Sequence, residues 1–317
     1  TSSTDLAISG DGFFVGTTKG TGVTAADPRA FTRAGAFGVD SSGYLVNDAG
    51  LYLQGWPVQA NGTFDINPSD VNSLTSINVK NLGAAVASTG NVALSANVDQ
   101  TQAISAGEAT YVATTVKSMA DYAANPANGT KPDFTMEMNV IDSMGGPHKM
   151  AVAFLKSSAA PNTWHAEIYA IPDTDVTVAG QPGQVAQGLV KFNQDGSIDL
   201  TNSTLFGVAG AAAQIPLAAS GAATAPRWAN GLGIAAQTVS LDLTKITQYA
   251  AASTVNSVSS DGASVGNVVG VQVSKDGVVS ALFDNSQIRT IAKVAIATFP
   301  NANGLKATSG SSYQATL

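Results

Sequence analysis

Apolar and polar positions alternate along most of this chain in short runs, each closed by a cluster of Gly, Asp, Asn or Ser. Period-two alternation of this kind predicts strands, and the punctuation predicts hairpins. At the start, Leu6 and Ile8 alternate with small or polar neighbours, Gly10-Asp11-Gly12 supplies a turn, and Phe13-Phe14-Val15 resumes an apolar strand. The pattern repeats through Phe37 to Asp40, the turn Ser41-Ser42-Gly43, Tyr44 to Val46, the turn Asn47-Asp48-Ala49-Gly50, and Leu51 to Trp56. Three short strands in succession predict a meander.

Between Val71 and Val98 the punctuation lapses, and NLGAAVASTGN reads as a passage between domains, with a boundary near Asn91. Alternation then returns at Phe134 to Asp142, turns at Ser143 to Gly146, and runs back through His148 to Phe154. Trp164 to Tyr169 predicts a further strand, and Leu189 to Asn193 with Ser197 to Leu200 predicts another hairpin across Gln194-Asp195-Gly196. Leu205 to Gln237 is rich in Ala, Gly and Pro and reads as loop and short strand returning the chain to the first domain. Beyond it, Val269 to Val273 and Val278 to Phe283 flank Ser274-Lys275-Asp276-Gly277, a predicted type I′ turn. Ile291 to Phe299 alternates as a strand, and Leu305 is the one burial candidate in a polar tail.

Composition narrows the function classes. The 317 residues are enough for two domains of ordinary size. Hydrophobic residues reach 44% while aromatics reach only 7%, so stability must come from extensive backbone pairing and many thin contacts. A net charge of -7, with only 15 Lys and Arg, argues against nucleic acid, whose binding needs clustered cations. No apolar run approaches the ~18 residues of a membrane span, and the start of the chain lacks the charged-then-apolar pattern of a cleaved signal. The absence of Cys removes disulfides and thiolate chemistry.

Each chemical motif has a bland counterpart. Gly262-Ala263-Ser264-Val265-Gly266 fits the G-x-S-x-G spacing of a nucleophile elbow, but strand rhythm follows it where an elbow needs a helix, and both histidines lie upstream. His148 and His165 lie near Asp142 and Glu167 on strand patterns, without the close spacing of metal ligands; the expectation is polar residues on the solvent face of a hairpin. Asp173-Thr174-Asp175 opens like a calcium loop but lacks its Gly and late Glu, and reads as a surface turn. Gly16 to Gly22, with Lys19, lacks the spacing that cradles a nucleotide. The expectation is therefore no catalytic residue, no metal site and no cofactor.

The segments DLAISGDGFF, FTRAGAFGVDSSGYLVNDAGLYLQGW, LDLTKITQYA and GVVSALFDNSQIRTIAKVAIATFPNANGLKATSGSSYQAT resemble the bacterial flagellar hook and rod proteins. The intervening VIDSMGGPHKMAVAFLKSSAAPNTW resembles the inserted outer domain of the hook members, which favours hook over distal rod. The resemblance implies a mainly β fold with two β-rich domains. An inner domain is built from residues 1–90 and 235–317, and an outer domain, 91–234, is inserted into it. It implies a non-enzymatic structural subunit that polymerises into a curved, flexible tube passing torque to the filament. It also implies an extracellular location reached by type III export, and hook-cap, rod and junction proteins as partners. Neither end shows the heptads that build the family's inner tube, so a core fragment is expected, monomeric when isolated. A distal-rod or hook-associated protein is the alternative within the class; a secreted β-rich adhesin or hydrolase lies outside it.

Overall fold

The computed structural model describes residues 3–59, 61–80 and 82–315 and is almost entirely β, with one short α-helix, Met119–Ala124, among the described residues. The chain divides into two compact units: 1–85 with 266–317, and 86–265.

The first unit is a 12-stranded sheet in which strands from both ends of the chain interleave. Phe13–Thr17 lies between Ala30–Thr32 and Tyr52–Pro57, and Tyr52–Pro57 carries Ile288–Val294 along the same edge. The register puts Val15 opposite Phe31 and Gly16 opposite Leu53, so successive residues face opposite sides. One side packs Phe14, Phe37, Leu45, Leu53, Ile77, Val279 and Val294; the other packs Val15, Phe31, Leu74 and Ala295 with Phe13, Trp56 and Phe299. The predicted meander is present as Phe37–Val39, Leu45–Asn47 and Tyr52–Pro57. Its turns are closed by side chains as well as by glycine: Asp40 Oδ1 accepts from the Tyr44 N–H at 2.8 Å, and Asn47 Oδ1 from the Leu51 N–H at 3.0 Å.

Two details of this unit differ from expectation. Leu6 and Ile8 form no strand with Phe13–Thr17: the Leu6 N–H bonds Gly35 O at 2.8 Å, and the neighbouring ladder contact is an isolated bridge between Asp5 and Ala36. Gly10 and Gly12, at φ +98° and +133°, turn the chain away from a tight hairpin. The hairpin of Val268–Val273 with Val278–Phe283 forms as expected, but only Gly277 of its turn has positive φ, at +74°. The turn is therefore a type I turn closed by a Gly bulge, since type I′ needs two such residues.

The second unit is built on two sheets. A five-stranded antiparallel sheet runs Ile198–Asp199, Gln184–Phe192, Thr163–Ile171, Pro147–Lys156, Phe134–Ile141. A four-stranded sheet runs Gln214–Leu217, Gln237–Tyr249, Asn91–Asp99, Thr254–Ser260. Alternation decides the inner faces: Met136, Met138, Met150, Val152, Phe154, Trp164 and Ile168 from one sheet meet Val92, Leu94, Val98, Val239, Leu243 and Ile246 from the other in one core. The five-stranded sheet is covered on its other side too, where Ala151, Ala153, Leu155 and Tyr169 pack under Met119 and Ala120 of the helix. That accounts for the unbroken burial of Met150 to Leu155, which alternation alone would leave half exposed.

The division at 85/86 and 265/266 differs from boundaries near 90/91 and 234/235. Gln237–Tyr249 pairs in parallel with Asn91–Asp99, from Ser240 opposite Asn91 to Tyr249 opposite Asp99, and Thr254–Ser260 takes the other edge of Asn91–Asp99. Residues 237–260 thus complete a sheet of the second unit. The Ala/Gly/Pro-rich segment before them belongs there as well, because Leu205, Ile215, Leu217, Trp228 and Ile234 are all buried in that core.

Candidate functional site

The strongest cluster of titratable groups in the second unit centres on His148. Its position in Pro147–Lys156 shares parity with Met150, Val152 and Phe154, so alternation turns it inward, and it is 8% exposed. Nε2 lies 2.9 Å from Asp142 Oδ2 and Nδ1 lies 2.7 Å from Asp175 Oδ2, with the imidazole centroid 4.6 Å from that of Trp228. Burial raises the Asp142 carboxyl, but the hydrogen bonds from His148 and from the Gly146 and Met144 N–H groups outweigh it and hold it below the usual carboxylate range. Both ring nitrogens are thus spent on carboxylates from two different turns. The solvent-facing reading of His148 is corrected: it ties two loops together from inside.

His165 lies on the opposite face of its strand from Trp164, Ala166 and Ile168. Its Nε2 is 3.4 Å from Glu108 Oε1, and its ring stands 4.7 Å from that of Tyr111. Glu108 also accepts from the Ser158 N–H at 3.1 Å, and this bond first, then the Ser158 hydroxyl and His165, holds its carboxyl low. Glu167, its expected neighbour, serves elsewhere. It accepts from Tyr111 Oη at 2.8 Å and from the Met119 and Ala120 N–H groups at 3.0 and 2.9 Å, fully buried. Burial pushes its carboxyl up despite those donors, and burial together with the Glu167 charge pushes the Tyr111 phenol up.

The two histidines occupy separate clusters and do not converge, and among the described residues no group of three or more His, Asp or Glu side chains could hold a metal ion. Ser264 lies in the strand Ala263–Gly266, which leads directly into Val268–Val273, so no strand-to-helix elbow forms. Asp173–Asp175 is a 3₁₀ turn whose last residue faces His148. Lys19 pairs with Asp27 on the surface. A cavity of about 500 Å³ in the first unit is lined by Asp11, Phe13, Arg33, Phe299 and Tyr313. Its one cation, Arg33, stacks over Phe13 and donates to Gly12 O and Gly10 O, each at 3.1 Å.

Sequence reasoning missed Asp175, Trp228 and Glu108 as partners of the histidines, because each comes from a loop or segment distant in the chain. Parity was the available signal for His148. It missed Asp261 too, whose Oδ1 accepts from the Gly90 and Asn91 N–H groups at 2.8 and 2.9 Å. These arrangements hold loops in place; none presents a nucleophile beside a base.

The surface carries scattered apolar side chains, including Val208 at 74% and Val269 at 67% exposed. No helix among the described residues is long and apolar enough to cross a membrane.

Comparison with known proteins matches residues 7–93 to the "flagellar hook protein FlgE/F/G D1 domain" and residues 109–263 to the "flagellar basal body protein FlaE D2 domain". The flagellar hook protein FlgE of Caulobacter vibrioides is 32% identical over all of this chain and 76% of its own length. That of Treponema pallidum is 28% identical over 98% of this chain and 65% of its own. That of Borreliella burgdorferi is 28% identical over 95% of this chain. The chain spans 62% of the Borreliella protein, a little under two thirds of its length. Among solved structures, that of Helicobacter pylori flagellar hook protein FlgE2 superposes with a TM-score of 0.50 over 99% of this chain and 93% of that one; at 15% identity the likeness is one of fold.

Proposed function

Because the chain belongs to the flagellar hook protein family, we propose that it is the β-rich core of a hook subunit, non-enzymatic and working outside the cell through assembly with its own copies. The observation that carries this reading is alignment with a hook protein along the whole chain, with the D1 and D2 matches falling in order. The D1 description covers three kinds of protein, so the D2 match is what favours a hook subunit over its shorter relatives.

A subunit that repeats head to tail with a non-closing rotation makes a helical tube. To pass torque while bending, its contacts must exchange neighbours at small cost. A chain with 12% charged residues and with exposed Val side chains on its surface suits shallow contacts better than deep aromatic anchors. Hook-cap, rod and filament-junction proteins are the further partners this reading implies. Electron microscopy of cells lacking the gene tests it. Basal bodies without hooks, restored by the complete gene, are the expected result; normal hooks in the deletion strain would overturn it.

A further inference from the structure

The sequence contains four Asn-Gly dipeptides: Asn61-Gly62, Asn128-Gly129, Asn230-Gly231 and Asn303-Gly304. Such pairs are chemically labile when the Gly nitrogen is free to attack the Asn side chain, and the structure treats the four differently. The Gly62 N–H is bonded to Gln59 O at 2.9 Å, the Gly129 N–H to Val116 O at 3.0 Å, and the Gly304 N–H to Asn301 O at 3.2 Å. Gly231 is the exception. Asn230 and Gly231 are the central pair of an exposed turn closed by the Leu232 N–H on Ala229 O at 3.1 Å, and the Gly231 N–H donates to no described residue. That is the expected pattern for the third position of a hydrogen-bonded turn, whose N–H points to solvent.

We infer that Asn230 is a site of spontaneous covalent modification, losing its side-chain nitrogen as ammonia through a cyclic imide. The Gly231 nitrogen attacks Asn230 Cγ; a new N–Cγ bond forms, the Cγ–Nδ2 bond breaks, and Nδ2 departs as ammonia with the proton given up by Gly231. Water then opens the ring at either carbonyl, leaving Asp or isoaspartate. At the other three positions the attacking nitrogen is held in a hydrogen bond that must break first.

The product changes the local structure in two ways. Its carboxylate stands where the Asn230 Oδ1 now accepts from Arg227 Nε at 3.4 Å, turning a long neutral contact into an ion pair. The isoaspartate form adds a main-chain carbon inside the turn that carries Leu232, a side chain packed on the core that holds Trp228. A subunit fixed in a long-lived extracellular assembly would accumulate this change with age.

Incubating the folded chain in mildly alkaline buffer and mapping its peptides by mass, with isoaspartyl methyltransferase labelling, provides the test. Asn230 should convert on the order of fivefold faster than each of Asn61, Asn128 and Asn303, the advantage of a nitrogen with no hydrogen bond to break. In concentrated urea the four rates should converge. Gly231→Ala, a replacement with no heavy atom within 4 Å of the new Cβ, should slow conversion at Asn230 and leave the other three unchanged. If Asn230 converts no faster than another of the four in the folded chain, or keeps the same lead in urea, the inference fails.

Discussion

In the first unit, neighbouring strands of the meander are joined by turns that Asp40 and Asn47 close with their own side chains. In the second, Asn91–Asp99 finds its partner more than a hundred residues later, with Ser240 opposite Asn91. The meander is thus held at its turns by local chemistry, whereas the second-unit sheet, like the Tyr52–Pro57 edge that carries Ile288–Val294, depends on long-range pairing, here with burial around two fully buried tryptophans, Trp164 and Trp228. Loop closure grows only slowly more costly with length, so the second strategy is thermodynamically sound, but nothing in the neighbourhood of either strand announces it.

The largest effect is expected from cutting the chain at the wrong place. Joining Ala85 to Gly266 with a short Gly/Ser linker removes residues 86–265 whole and should leave a cooperatively folding, monodisperse first unit. Joining Ser88 to Ala235 instead keeps the 237–249 and 254–260 strands without Asn91–Asp99. Val239, Leu243 and Ile246 would lose their cover, at about 1.5–3 kcal/mol each, on an unpaired strand that invites aggregation. Size-exclusion chromatography separates the outcomes. Equal behaviour of the two shortened chains would place the division elsewhere.

Trp228→Ala should cost about 3–5 kcal/mol, because the indole is 0% exposed and packs against the His148 ring. Calorimetry should show the transition of the second unit falling while that of the first stays in place. A common shift of both would mean that the two do not unfold separately.

Acid should also weaken the second unit. The Asp142 carboxyl is lowered in the folded state, so the stability it contributes is full above its unfolded value of 3.8 and is lost as pH falls through the lower folded value. Asp261 is lowered too, with burial outweighed by bonds from Asn91 and Gly90, and its contribution has the same sign. Thermal midpoints of the second unit should fall as pH drops from about 5 towards 2. Asp142→Asn should cost about 1.5–3 kcal/mol near neutrality and make that acid dependence shallower. A slope unchanged by the substitution would remove Asp142 from the cause.

What was legible in the sequence follows the same divide. The hairpins at Phe134 to Phe154, Leu189 to Leu200 and Val268 to Phe283 could be read because alternation and turn residues lie side by side. The mainly β class and the interleaving of the two chain ends were also reached, the latter through family resemblance. The parallel pairing of Gln237–Tyr249 with Asn91–Asp99 was not legible, since parallel strands carry no turn between them. Leu205 to Gln237 misled by composition: its few large side chains are diluted by Ala and Gly, yet Trp228 and Ile215 are fully buried. For His148, the inward parity was legible, whereas Asp175 came from a 3₁₀ turn beyond the next strand and had no signature of its own.

The smallest expected effect tests the local side of the divide at Gly277. Its φ of +74° lies where an L side chain is strained, and a Cβ built there meets nothing closer than Val294 at 3.6 Å, so the substitution cost is conformational and not steric. Gly277→Ala should therefore cost about 1 kcal/mol, while Gly277→Asn, whose side chain tolerates this region, should cost measurably less. The ordering separates the observed turn from a type I′ turn: with Asp276 at ordinary φ, Asp276→Gly should bring no gain from relieved strain and only the entropic loss of a more flexible chain. Urea midpoints of the first unit would register both effects. A stabilising Asp276→Gly would show that residue 276 is strained and that the type I assignment is mistaken. Because the cost arises at one turn of the first unit, the transition of the second unit should not move, and a shift there would show that the two units do not unfold separately.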